Sequence, residues 1–130
     1  MILLLRQAES EAYYRRAVTG REHSLGPEHS DTLDSITCLA LLLQNLGKDG
    51  EAEAMYLRAM DACERAHGAA DKHTCDMAFN LGNMYEDQRD FDKAVEMYEY
   101  VLNGYTICLG ADDPETIEVI EKIESIKNMK

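Results

Sequence analysis

With 130 residues, 45% of them apolar, the chain has the length and composition of one ordinary domain with a core. Its 25 acidic against 13 basic residues give a formal net charge of −12. Such a charge repels phosphate backbones and anionic head groups over roughly a Debye length of 8 to 10 Å, which argues against nucleic acid and membrane surfaces as ligands.

The opening MILLLRQ is too short for a signal peptide or a membrane span and has no small-residue cleavage site, so a soluble, cytoplasmic protein is expected. Residues 6 to 25 read as a helix whose apolar face includes Tyr14 and Ala17. The phrase LGPEHSDT follows at 25 to 32, and it is written twice more: HGAADKHT at 67 to 74 and LGADDPET at 109 to 116. Gly26, Gly68 and Gly110 are thus 42 residues apart, as are Thr32, Thr74 and Thr116. The same spacing aligns Tyr14, Tyr56 and Tyr98, then Ala17, Ala59 and Val101, then Leu39, Leu81 and Ile123. A period of this size marks a solenoid of stacked supersecondary units.

Each unit reads as two helices. In DTLDSITCLALLLQNLGK the apolar residues Leu33, Ile36, Leu39, Ala40, Leu43 and Leu46 follow the i, i+3, i+4, i+7 stripe of one helix face. LGKDGE then turns the chain, and Ala52, Met55, Tyr56, Ala59, Met60 and Cys63 form the stripe of a second helix. The repeated phrase is a stop followed by a start. Its glycine ends one helix in a left-handed conformation that costs other residues about 1 kcal/mol or more. Asp71 and Asp113 then stand at the next N-cap, with Pro114 at the first helical position, and Ser30 or Asp31 is expected to cap the first copy.

These residues resemble the tetratricopeptide repeat. The Leu-Gly pair followed by an aromatic appears in NLGNMY as Leu81, Gly82 and Tyr85, and the second-helix pattern appears as Ala52, Tyr56 and Ala59. In the first full copy Ala40 replaces the glycine and Leu43 the aromatic, which keeps a small residue at the close helix crossing and a bulky one beside it. The usual repeat has 34 residues, whereas 42 with this connector looks like the long-helix variety of kinesin light chains. The resemblance implies an all-α, right-handed superhelical solenoid of antiparallel helix hairpins, with second helices of roughly 17 residues, about 25 Å long.

One domain over 1–130 is expected: a second helix at 6–25, hairpins at 31–67 and 73–109, and a lone first helix at 114–128, six helices in all. Glu124 and Lys127 stand where Gly82 and Tyr85 stand one repeat earlier, so the last helix reads as a polar cap. The amino end does not. Residues 2 to 5, ILLL, map onto the tail of an absent first helix, and three readings stay open for what covers the following helix: a folded-back local cap, a second chain forming a homodimer, or further repeats upstream.

The resemblance places function on a concave surface lined by first helices. By register that surface carries Asp34, Cys38, Leu41 and Asn45, then Asp76, Asn80, Asn83 and Asp87, then Glu118 and Lys122. Asparagine amides can pair with the backbone of an extended peptide, and Asn80, just before Leu81, is the foremost candidate. With Lys122 the one basic residue among acids, a neutral or basic protein segment is the expected partner.

Chemistry of the chain's own is not expected. Carboxylate pairs such as those in GADDPE follow from the acidic composition alone, and no phosphate loop or dinucleotide fingerprint occurs, so neither an enzyme nor a cofactor is implied. Cys63, His67, His73 and Cys75 offer soft ligands, but the other copies lack them, and helix-end histidines explain the pattern better than a metal. The four cysteines, with Cys38 and Cys108 completing the set, form no CxxC pair and read as reduced, mostly buried thiols. The tyrosines and methionines read as core.

Overall fold

The structure is a computed structural model that describes residues 2–129, the side chain of Leu4 excepted. Residues 1 and 130, the ends of the expected domain, and the Leu4 side chain in the ILLL opening therefore lie outside the described residues. Six α-helices follow one another: α1 (Ile2–Leu25), α2 (Ser30–Asn45), α3 (Asp49–His67), α4 (Lys72–Asp87), α5 (Phe91–Cys108) and α6 (Pro114–Met129). The second helices are slightly longer than the expected 17 residues, with 19 in α3 and 18 in α5. α1 reaches 24 because residues 2 to 5 continue it, where the corresponding segments of later copies turn. The reason is local: Gly47 and Arg89 adopt positive φ in those turns, and Leu5 stands at that register in a helix-compatible run.

The chain divides after Ala62 into two compact units. In the first, α2 buries Leu33, Ile36, Leu39, Ala40 and Leu43 of the stripe read from the sequence, while Leu46 is half-buried at the C-cap; α3 brings Ala52, Tyr56 and Ala59 with no exposed surface, and Met55 and Met60 of its stripe are half-buried. Each buried leucine contributes roughly 1.5 to 3 kcal/mol. Glu11 of α1 accepts from Lys48 Nζ at 2.9 Å and from Arg15 Nε at 3.0 Å, and these cations hold its carboxyl below the usual carboxylate range. Arg21 of α1 donates to the Asp31 carbonyl at 2.8 Å and to Ser35 Oγ at 2.7 Å, fixing α1 to the start of α2.

In the second unit α4 and α5 run antiparallel. Tyr98, early in α5, reaches Glu86 and Asn83 late in α4, while Tyr105, seven residues further on, reaches Asp76 at the other end of α4. α6 closes the unit with Val119, Ile123 and Ile126 buried. Two glycines set the approach of α4 and α5. A Cβ on Gly82 would stand 2.7 Å from the Tyr98 ring, and one on Gly104 would overlap Cys75 Sγ.

The repeated phrase works as a stop and a start. Gly26, Gly68 and Gly110 have φ of 93°, 90° and 95°. Asp71 then accepts from the His73 amide at 2.9 Å and Asp113 from the Glu115 amide at 2.9 Å. In the first copy neither Ser30 nor Asp31 caps the helix. His29, in the register of Asp71 and Asp113, does so through Nδ1, 3.1 Å from the Asp31 amide. Any acceptor two residues before that amide serves, so an imidazole nitrogen substitutes for a carboxylate. The threonines also differ: Thr32 Oγ1 donates to the Gly26 carbonyl at 2.8 Å, whereas Thr74 and Thr116 are fully buried with no partner for Oγ1.

Arg89 is the one non-glycine among the described residues with positive φ, at 62°, and it stands one repeat after Gly47, whose φ is 79°. Arg89→Gly is expected to raise stability by roughly 0.5 to 1 kcal/mol in chemical denaturation, and Gly47→Arg to lower it by a similar amount. Thr32→Val is expected to cost about 1 kcal/mol through its lost hydrogen bond. Thr74→Val and Thr116→Val remove an unpaired buried hydroxyl, so their urea midpoints are expected to stay or rise.

Candidate interaction surface on the first helices

The even-numbered helices carry all ten of the residues singled out from the sequence, and the structure gives them unequal surroundings. On α2, Asp34, Cys38, Leu41 and Asn45 are exposed, Leu41 at 45%. Asp34 and Cys38 open onto a cleft shared with Tyr13, Tyr14 and Ala17 of α1. Leu41 and Asn45 lie further along the helix and line none of it.

On α4 most candidates are already engaged. Asp76 accepts the Tyr105 hydroxyl at 2.5 Å and Lys72 Nζ at 3.2 Å. Lys72 also pairs with Glu115 at 3.3 Å, and although burial pulls its pKa down, the two carboxylates raise it on balance. Asn83 accepts the Tyr98 hydroxyl at 2.6 Å, and the same hydroxyl lies 2.7 Å from Glu86 Oε1. Burial first, and then the Glu86 carboxylate, push the Tyr98 phenol far up; burial and Asp76 do the same to Tyr105. Both phenols stay neutral donors. Asp87 is exposed.

α6 lies alongside α4 at this point. Lys122 Nζ is 5.6 Å from the centres of both the Phe79 and the Tyr98 rings and 3.7 Å from Glu86 Oε1. Its charge is thus directed inward, at two aromatic faces worth roughly 0.5 to 1 kcal/mol at such sites and at one carboxylate. Glu118 is exposed on α6. Asn80 differs from its neighbours: it is half-buried, and among the described residues its amide makes no hydrogen bond. The α4 and α6 face therefore presents one unengaged amide among carboxylates, with Lys72 paired to Asp76 and Glu115 and Lys122 to Glu86.

Glu86 and Phe79 are central to this face, and neither was singled out from the sequence. The register holds a signal for Glu86, since Gln44 stands one repeat earlier and accepts the Tyr56 hydroxyl at 3.2 Å. The cysteines depart from expectation, because Cys38 and Cys108 are exposed and Cys63 and Cys75 alone are buried, all four free. Burial, with the charges of Cys108, Asp76 and Asp71 adding to it, pushes the Cys75 thiol up to about 11, so it is an inert packing group. Tyr13 also departs from the core reading, at 61% exposed. Among the described residues no three His, Cys, Asp or Glu side chains converge, and the His67 and His73 rings lie 6.4 Å apart. No helix among the described residues is long and apolar enough to cross a membrane.

Two matches to family models of the tetratricopeptide repeat cover residues 6–31 and 31–107. The chain belongs to the tetratricopeptide repeat family. Modules of this family generally mediate protein–protein interaction and are typically non-catalytic. The curated relatives of this tetratricopeptide repeat chain include the Clustered mitochondria protein homolog of Aspergillus clavatus, 25% identical over 101 residues, 78% of this chain and 8% of that protein. The homolog from Coccidioides immitis is 24% identical over 114 residues, 88% of this chain and 9% of that protein. The chain thus spans under a tenth of the length of these relatives. Among solved structures, BtubC (BKLC) from P. vanneervenii, a kinesin-light-chain-like repeat protein, superposes with a TM-score of 0.83 at 22% identity, over 95% of this chain and 49% of that one. That likeness is one of fold.

Tyr98→Phe is expected to cost about 1.5 to 3 kcal/mol in urea denaturation, because it strips the donor shared by Asn83 and the charged Glu86 without opening a cavity.

Proposed function

We propose that this tetratricopeptide repeat module is a scaffold or adaptor that holds an extended segment of another protein on the faces of its first helices. The observation that carries the reading is Asn80: a half-buried side-chain amide, with one acceptor and two donors, whose neighbours Asp76 and Asn83 are engaged by tyrosines. An extended peptide offers such an amide alternating backbone acceptors and donors. Carboxylates dominate the surroundings, with Asp87 and Glu118 exposed and Lys122 paired to Glu86, so the segment bound is neutral or basic. Asp34, Cys38, Leu41 and Asn45 of α2 form the candidate surface of the first unit. Catalysis forms no part of the reading, and cofactors are not required for it.

A self-associating structural module is the alternative, and one observation favours it. α1 leaves Ile2, Leu3, Leu5 and Tyr13 between 61% and 70% exposed, more apolar surface than a lone helix ordinarily shows to water.

Asn80→Ala is expected to weaken capture of neutral or basic peptides roughly 3- to 10-fold in a fluorescence titration while leaving the solution mass unchanged. Tighter binding of acidic than of basic peptides would sink the charge argument. Intact binding by Asn80→Ala, together with a mass that doubles at working concentration, would favour the self-associating module.

A further inference from the structure

Lys122 reaches from α6 to three groups of α4 and α5 and holds none of them closely. Its Nζ lies 5.6 Å from the centres of both the Phe79 and the Tyr98 rings, near the outer limit of about 6 Å at which a cation is drawn to an aromatic face. Glu86 Oε1 is 3.7 Å away, an ion pair but too long for a hydrogen bond. The two ring centres stand 5.7 Å apart with the planes tilted by 47°, and with Glu86 they form a notch that the ammonium underfills. The notch is open to a ligand, since the side chains of Lys122 and Glu86 keep 31% and 33% of their surface exposed.

Packing does not call for this combination. One repeat earlier the neutral Gln44 accepts the Tyr56 hydroxyl, and Thr37 stands in the register of Phe79. A buried tyrosine needs an acceptor, and an amide serves. The negative charge of Glu86 and the ring of Phe79 are therefore additions of the second unit. Burial and Glu86, and then the charges of Asp87 and Glu118, push the Tyr98 phenol up, which gathers three carboxylates about the ring that Lys122 approaches. Such a potential beside two aromatic faces favours a cation.

We propose that the notch of Phe79, Tyr98 and Glu86 receives an arginine side chain of the bound segment, and that Lys122 is an internal competitor which withdraws as the arginine enters. The inference rests on the reading of the α4 and α6 face as a peptide site and adds a side-chain requirement to it. A guanidinium fits where an ammonium does not. It is planar, stacks flat on a ring, and offers five donors in a fork that can meet both oxygens of a carboxylate. It is also more weakly hydrated, so it enters at a smaller cost. Lys122 has a flexible four-carbon stem and no hydrogen bond to Glu86 to break. Position agrees with the groove. Phe79 adjoins Asn80, and Glu86 lies six residues beyond it, about 9 Å along α4. An extended chain covers that span in about three residues, so the arginine stands within about three residues of the one whose backbone pairs with Asn80.

The test uses the full chain and short peptides of serine, alanine and glycine that carry one arginine, citrulline or norleucine, with N-acetylarginine amide as a probe lacking a peptide chain. Titration is followed by the NMR signal of the Lys122 ε-methylene, which the two rings shift in the free chain. The arginine peptide and N-acetylarginine amide are each expected to return that signal to its ordinary position, and the citrulline and norleucine peptides to leave it in place. Lys122→Ala is expected to tighten the arginine peptide roughly 3- to 10-fold. Lys127→Ala makes the same charge change at an exposed site of α6 and is expected to alter the affinity less than about twofold. Phe79→Leu in the Lys122→Ala chain is expected to cancel the gain. A Lys122 signal that neither arginine probe moves, an affinity unchanged or weakened by Lys122→Ala, or an equal gain from Lys127→Ala would each overturn the proposal. Those outcomes leave the groove reading in place wherever Asn80→Ala still weakens capture of the citrulline and norleucine peptides. Displacement of Lys122 by N-acetylarginine amide, with peptide capture indifferent to Asn80→Ala, would instead remove the groove reading and keep the notch.

Discussion

The close crossing of a tyrosine against a small residue is the constraint on which both hairpins depend. The ring of Tyr98 lies so close to α4 that it leaves no room for a Cβ at Gly82, and one repeat earlier Ala40 and Tyr56 hold the same positions, both without exposed surface. A ring so placed drives its hydroxyl into the interior, where an unpaired polar group costs several kcal/mol in an apolar setting. Gln44 and Glu86 answer that need one helical turn beyond the small residue. Shape and polarity are thus satisfied by two positions four residues apart on one helix.

The same chemistry reaches into the candidate surface of the second unit. Because Tyr98 requires an acceptor, Glu86 and Asn83 turn inward, and because Glu86 is a carboxylate, Lys122 is drawn over the rings of Phe79 and Tyr98. Residues that register alone assigns to ligand binding are here part of the packing. Asn80 is left with its amide uncommitted. On this surface most polar side chains serve to hold the chain's own helices in place.

In α1 the constraint is only half met. Its tyrosine, its small residues and its arginines are those of a second helix, yet no first helix stands before it among the described residues, and its apolar residues remain in contact with solvent. The exposed face is therefore the one that a hairpin partner would cover. In α6 Glu124 and Lys127 stand in the register of the small Gly82 and the aromatic Tyr85, so α6 presents a polar flank there.

The sequence by itself determined the helices, their order and most of their boundaries, since a 42-residue period repeats glycine stops, aspartate starts and apolar stripes that act within a turn or two of the chain. The buried residues of α2 and α4 were legible for the same reason. Where acceptor geometry decides between neighbours, as at His29 against Ser30 and Asp31, the pattern of residue types was insufficient, because the cap depends on which side chain reaches the amide two residues on. Tertiary structure alone decided which candidate residues are available. Asp76 meets Tyr105, Asn83 meets Tyr98 and Lys122 meets Glu86, each on a different helix and at a separation that no local pattern records. Hydrophobic period fixes which face of a helix turns inward, but the occupancy of a polar side chain depends on what the neighbouring helix places opposite it.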